Sequence, residues 1–170
     1  MSWTTSVASP VGPLHLIARD DGALTHLLFV DDRLPAPPGA DLRADTAPFR
    51  EVIDQLDAYF AGARPAFDVP LAPAGTPFQR DAWMALRDIP YGHTRSYAEQ
   101  AAALGRPRAI RAVGAANGRN PIAIVVPCHR VVGSRGSLTG YGGGLDRKRW
   151  LLEHERRQAG SLEAPGGRPA

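Results

Sequence analysis

Ser96-Tyr-Ala-Glu-Gln-Ala-Ala-Ala-Leu-Gly-Arg-Pro-Arg-Ala-Ile-Arg-Ala-Val-Gly-Ala-Ala-Asn-Gly118 is the stretch on which the fold turns. Ser96 reads as a helix N-cap, and Glu99 three residues on completes a capping box for a helix ending near Gly105. Pro107 stands at a favourable first-turn position for a second helix, which runs to Asn117-Gly118. Two short helices across a glycine turn predict a helix-turn-helix. In the second helix Ile110, Val113 and Asn117 share the side expected to face inward, whereas Arg108, Arg111, Ala112 and Ala115 share the other. That outer face is positive but otherwise small. It suits close approach to a narrow surface such as a DNA groove, and it equally suits plain solvation.

Downstream, the apolar run Ile122-Ala-Ile-Val-Val126 predicts a buried strand that stops at Pro127. Cys128, His129 and Arg130 follow at once. A cysteine attacks as thiolate, and its usual pKa of about 8.5 leaves only a few per cent ionised at neutral pH without a base or a positive field. His129 is the nearest base. Neighbours on an extended strand point to opposite faces, so contact between Cys128 and His129 requires a turn or a bridging water. An imidazole used this way needs a third group to orient it. The last helix, expected over about Leu145–Arg157, offers Glu155, which follows Leu151 and Leu152 on the apolar stripe. An inward carboxylate is costly alone, so Glu155 pairs either with His129 in a relay or with an arginine in a structural salt bridge. Cys128 is correspondingly a reactive group or a buried filler. Tyr141-Gly-Gly-Gly144, just before that helix, lacks the Gly-Lys-Ser/Thr ending of a phosphate-binding loop.

Upstream, Ile89-Pro-Tyr-Gly-His93 breaks a helix that starts at Thr76-Pro77 and runs to about Arg87, with Phe78, Ala82, Trp83 and Leu86 inward. Leu71–Pro77 reads as a linker. Before it, Trp3–Ala8, Leu14–Ala18 and Leu24–Val30 read as strands of an antiparallel meander. A Pro-rich loop over Leu34–Asp45 leads to a helix over about Pro48–Ala61, whose Phe49, Val52, Ile53, Leu56 and Phe60 would cover the sheet. The expected organisation is an α/β domain over residues 1–72, a mostly helical domain over 73–158 and a disordered Gly/Pro-rich tail over 159–170.

Composition narrows the function classes. A chain of 170 residues with 44% hydrophobic content sustains a core, which excludes a disordered or fibrous protein. It has no apolar run of the roughly 18–20 residues that a membrane span needs and no signal-like start, so a cytoplasmic location is expected. A single cysteine excludes an internal disulfide and a multi-cysteine zinc site. The net charge of +3 hides a split: Lys+Arg against Asp+Glu is 5 to 10 before residue 78, and 14 to 6 over residues 78–157. A basic half beside an acidic one suits a polyanion-binding module, although a merely basic surface shows the same count.

Taken together, Ile124-Val-Val-Pro-Cys-His-Arg-Val-Val132, Arg111-Ala-Val-Gly114 before it, Asn120-Pro121 between, and Gly140-Tyr-Gly-Gly-Gly144 with Leu151-Leu-Glu-His-Glu155 after it resemble the O6-alkylguanine-DNA alkyltransferases. The similarity covers about Thr76–Glu155, and the acidic half fits the family's ribonuclease-H-like N-terminal domain. The resemblance implies repair of double-stranded DNA by stoichiometric transfer of an alkyl group, chiefly methyl, from O6-alkylguanine to Cys128, with O4-alkylthymine left open as a substrate. It implies His129 as the base acting through water, Glu155 holding the histidine, and Asn120 bracing the turn. It assigns Tyr97 to expelling and holding the base, Arg111 to the gap left in the stack, Arg108, Ala112 and Ala115 to the minor groove, and Tyr141, Gly142 and Val131 to the base pocket. It further implies a free monomer with no cofactor. The zinc cysteines of mammalian relatives are absent, so no metal is expected and His15 and His26 are structural. Gly142 replaces a serine found in some relatives, which leaves the range of alkyl sizes open. The competing readings are a non-catalytic binder of the alkyltransferase-like kind and a cysteine hydrolase using Cys128 and His129.

Overall fold

The computed structural model describes residues 1–30 and 41–162. They form two compact units: Met1–Ala74 together with Pro121–Ala123, and Gly75–Asn120 together with Ile124 onward.

The first unit is built on a four-stranded sheet of order β3-β2-β1-β4. Strands β1 (Ser2–Val7), β2 (Leu14–Arg19) and β3 (Leu24–Phe29) form the expected antiparallel meander. Gly12 and Gly22 adopt positive φ in the two connections, a conformation that costs glycine nothing. Strand β4 (Leu42–Ala44), read as loop from the sequence, pairs parallel with β1. Three residues, Leu42-Arg43-Ala44, are too few to carry a readable period. Residues 34–40 of the expected loop lie outside the described residues. A 3-10 turn, Ala47–Phe49, opens α1 (Arg50–Phe60). Phe49, Val52 and Leu56 are buried as expected, and so are Gln55 and Tyr59. Gln55 earns its place by exchanging hydrogen bonds with the backbone of Asp68, donating to its carbonyl and accepting from its N–H. Leu71, expected in a linker, bridges to Leu24. Pro121 and Ala123 return to this unit by bonding both backbone groups of Leu27.

The second unit is helical. Helix α2 (Pro77–Leu86) begins with a capping box between Thr76 and Gln79, and buries Ala82, Trp83 and Leu86. Ser96 and Glu99 form the expected capping box of α3 (Tyr97–Ala103). The next helix departs from expectation, because Pro107 and Arg108 lie in a turn and α4 spans Ile110–Gly118. Arg108 therefore precedes the helix. Ile110, now its first residue, has no preceding helical turn to pack beside and is 43% exposed rather than inward. Val113, Ala116 and Asn117 fill the inner face. Trp83 Nε1 donates to the Ala116 carbonyl at 2.8 Å, and Gln100 and Asn117 exchange amide hydrogen bonds at 3.0 and 2.7 Å. These bonds tie α2, α3 and α4 through satisfied buried polar groups.

The run 122–126 is buried but forms no strand. Ile122 makes one bridge to Leu27 and the chain then turns, with Ile124 at φ 70°. The apolar pattern specified burial, and burial alone does not separate a strand from a packed turn. Beyond it a 3-10 turn, Cys128–Arg130, leads to Val131–Val132 (β6), which pairs parallel with Arg95–Ser96 (β5). Helix α5 spans Leu145–Leu162, past the expected end and into the tail read as disordered. Ala159 explains the extension: it is buried, close against the backbone of Gly92, which has φ 78°. Residues 163–170 lie outside the described residues.

Candidate active site

Cys128 opens the 3-10 turn after Pro127 and is 8% exposed. Its Sγ accepts a hydrogen bond from Asn120 Nδ2 at 3.2 Å, and the same amide donates to the Val126 carbonyl at 2.8 Å. Asn120, just before the apolar turn, thereby holds the residues that close it. The turn also carries Cys128 and His129 out of the alternation of a strand. No direct hydrogen bond joins the two; His129 faces Glu155 instead.

His129 is fully buried, with Nε2 at 2.6 Å from Glu155 Oε2. Glu155 also accepts from Arg130, whose Nε reaches Oε1 at 2.7 Å and whose second terminal nitrogen reaches Oε2 at 3.2 Å. The remaining terminal nitrogen of Arg130 donates to the Ile89 carbonyl at 2.7 Å. The sequence left Glu155 with two possible partners, and the fold supplies both. Burial pushes the Glu155 carboxyl up, but His129 and Arg130 outweigh it and hold it well below the usual carboxylate range. Burial lowers His129, against the pull of Glu155, and Arg130 and Lys148 lower it further.

The contact with Glu155 sets the imidazole's tautomer. An ionised carboxylate only accepts, so the proton between His129 and Glu155 sits on Nε2. A neutral ring then leaves Nδ1 as a lone pair, and that buried atom has no hydrogen-bond partner among the described residues. The site therefore holds a base with its accepting nitrogen uncommitted and its other nitrogen anchored.

Burial raises the Cys128 thiol, while Asn120 and then Lys148 pull it down. Lys148, which sequence reasoning missed, is fully buried on α5. Its ammonium donates to the carbonyls of Val131 at 2.6 Å and Thr139 at 2.9 Å. The Thr139 carbonyl also accepts from Tyr97 Oη at 3.1 Å, so α3, α5 and the stretch after the cysteine meet at one oxygen. A lysine one turn inside a helix with arginines on both sides reads as another surface cation; its only sequence signal is its place three residues before Leu151.

Tyr141, in the expected base pocket, is buried enough to raise its hydroxyl well above the usual tyrosine value, and the charge of a Cys128 thiolate would raise it further. Val131 is buried and Gly142 exposed. Arg108, Arg111, Ala112 and Ala115 are all exposed, and α4 passes the Tyr97 ring at Gly114 with room for a Cβ at ordinary contact distance. Among the described residues no group of three or more His, Cys, Asp or Glu could hold a metal ion. His15 instead bonds Thr4 and Ser6, and His26 bonds Thr25.

Two family models match this chain. One, the DNA binding domain of 6-O-methylguanine DNA methyltransferase, covers residues 77–157, and the other, its ribonuclease-like domain, covers residues 3–73. The methylated-DNA--protein-cysteine methyltransferase of Mycolicibacterium paratuberculosis is 53% identical over 154 residues, spanning 91% of this chain and 92% of that protein. That of Methanosarcina barkeri is 52% identical over 149 residues, spanning 88% and 94%. The crystal structure of Mycobacterium tuberculosis OGT in complex with DNA superposes with a TM-score of 0.86 at 51% identity, covering 92% of this chain and 94% of that one. Fold and site together define an α/β ribonuclease-like domain followed by a helix-turn-helix methyltransferase domain. The chain belongs to the 6-O-methylguanine DNA methyltransferase family.

Proposed function

We propose that this chain repairs double-stranded DNA by moving an alkyl group, chiefly methyl, from guanine O6 to Cys128, once per molecule. The observation that carries the reading is the anchored imidazole of His129, whose Nδ1 is an uncommitted acceptor one residue from a cysteine held by Asn120.

The O6 substituent lies within the stacked duplex, out of reach of a sulfur on a folded core, so the nucleotide must swing out. Arg111, exposed on α4, fills the gap it leaves, and Tyr97 expels and holds the base. Arg108, Ala112 and Ala115 line the minor-groove face, where small side chains permit close approach. Tyr141, Gly142 and Val131 form the base pocket. The Cys128 thiol then gives its proton through a water to His129 Nδ1, and Glu155 stabilises the imidazolium without taking the proton. Sulfur attacks the carbon bonded to O6, the carbon–oxygen bond breaks, and guanine leaves with the electron pair. A hydrogen bond from Tyr97, whose hydroxyl turns to the base from the Thr139 carbonyl, steadies the charge that develops on the ring. Asn120 and the Lys148 ammonium stabilise the thiolate during its brief existence. The product is a thioether without a leaving group, so no second cycle follows and no cofactor is needed. Small alkyl groups fit this scheme. On this reading the protein is a cytoplasmic monomer; no described helix is long and apolar enough to cross a membrane.

Intact-protein mass spectrometry after incubation with duplex DNA containing O6-methylguanine tests the reading. The expected result is one methyl in place of the thiol hydrogen, never more than one per chain, and no gain for Cys128→Ser, which should still bind DNA. Tight binding with no mass gain would indicate a non-catalytic binder, and product in large excess over protein would indicate a hydrolase.

A further inference from the structure

Ile110 is the one large aliphatic side chain of α4 that the fold leaves in solvent, at 43% exposure. Its chain neighbour Arg111 is exposed, and so are Arg106 and Arg108 in the preceding turn. Residues advance about 100° around a helix per step. Ile110 therefore stands on the shoulder of α4 between the outward face that carries Arg111 and Ala115 and the inner face that carries Val113. Gly114, one turn further on the same shoulder, lies against Tyr97: a Cβ built there would sit 3.8 Å from the tyrosine ring. Ile110 thus shares with Gly114, the residue that faces Tyr97, the flank of α4 next to the arginine assigned to the vacated stack.

A β-branched aliphatic in that place contributes little to the core and leaves apolar surface in water. The cations around it set the occupant: a polyanion brought in by Arg106, Arg108 and Arg111 places the apolar interior of a nucleic-acid duplex against this shoulder. Proteins that bind the minor groove insert aliphatic wedges at base steps and partly unstack them. We infer that Ile110 is an apolar wedge that packs into the minor groove beside the extruded nucleotide and holds the neighbouring base step open while Arg111 fills the gap. This rests on the repair reading above, with Ile110 acting as a positioning residue for the duplex and having no part in the chemistry at sulfur.

The test compares wild type, Ile110→Ala and Ile110→Leu on duplex O6-methylguanine DNA and on free O6-methylguanine base, by single-turnover methyl transfer. Unstacking is followed in parallel by the fluorescence of 2-aminopurine placed next to the lesion. Ile110→Ala should slow transfer to duplex about tenfold, equivalent to about 1.4 kcal/mol, and reduce the fluorescence rise. Transfer to free base and the melting temperature should stay at wild-type values. Ile110→Leu, which restores the bulk, should recover most of the duplex rate. Equal duplex rates for wild type and Ile110→Ala would overturn the wedge while leaving the repair reading intact. Equal losses on duplex and free base, with a lowered melting temperature, would also overturn it, by making Ile110 a structural residue. Failure of the wild type to gain a methyl from either substrate would overturn the repair reading and the wedge together.

Discussion

Glu155 answers to two groups at once. It neutralises Arg130 through a two-point contact and fixes the tautomer of His129 through a single one. All three side chains are buried, so removing the carboxylate's charge strands a guanidinium in a low-dielectric interior. Glu155→Gln should destabilise the protein by about 3–5 kcal/mol, measured by denaturant unfolding. It should also slow methyl transfer, because a neutral amide neither holds the Nε2 proton as firmly nor stabilises the imidazolium. The pH dependence of stability follows from the same cluster. Glu155 is depressed in the folded state, so its contribution is present above the ordinary carboxylate pKa and is lost as pH falls toward the folded value. His129 is also lowered on folding, so the unfolded chain takes up a proton first as pH drops below about 6.5. Both act in one direction: stability should decline from pH 7 downward and decline more steeply below about pH 4.5. Denaturation midpoints across that range check this, and His129→Asn should flatten the upper part of the slope.

At the scale of the element, the turn between α4 and Cys128 is held by the Asn120 side chain and by backbone pairing with Leu27. Asn120 reaches forward to the Val126 carbonyl and the Cys128 sulfur, across a segment in which a β-branched residue, Ile124, takes a left-handed conformation that such residues normally avoid. Asn120→Ala should cost about 1–3 kcal/mol, since it leaves a buried carbonyl without its donor. It should also slow transfer to free base and to duplex alike, because it acts on the nucleophile's position. Arg111→Ala should behave in the opposite way: exposed on α4, it should leave stability unchanged and weaken transfer to duplex much more than to free base. Parallel single-turnover assays on both substrates separate the two. These elements also mark where the sequence was readable. The capping box at Ser96 announced α3, and Thr76-Pro77 announced the start of α2, because helix-start signals are local and written within four residues. Cys128, His129 and Glu155 were legible as candidates because nucleophile, base and orienting carboxylate are rare types to find with apolar neighbours. The turn at 122–126 was not legible, since its backbone is dictated by Asn120 and by pairing with Leu27, both tertiary. Lys148 was missed and Ile110 misjudged for a related reason: each sits on a helix where side alone does not say whether another element covers it.

At the scale of the whole molecule, charge separates along the chain more sharply than chemistry does. The segment from residue 78 to 157 carries 14 basic against 6 acidic side chains, while the part before it is acidic, and the exposed arginines 106, 108, 111 and 119 cluster on and around α4. On the proposed reading the arginines flanking Arg111 meet phosphate, which is common to every sequence, and the small side chains between them offer few hydrogen-bonding groups to base edges. Affinity for DNA should therefore be nearly indifferent to sequence and strongly dependent on salt. If three phosphates are neutralised, raising monovalent salt from about 50 to 200 mM should weaken binding roughly fortyfold, by the counterion-release slope of about 0.9 per phosphate. Transfer to the free base should hardly change over the same range, because the His129, Arg130 and Glu155 cluster is buried and little screened. Fluorescence anisotropy with an unmodified duplex, run beside methyl transfer to free base at each salt concentration, tests both halves. A salt-independent duplex affinity would remove the arginine surface from the binding step, and salt-sensitive transfer to the free base would place a screened, exposed charge inside the reaction itself.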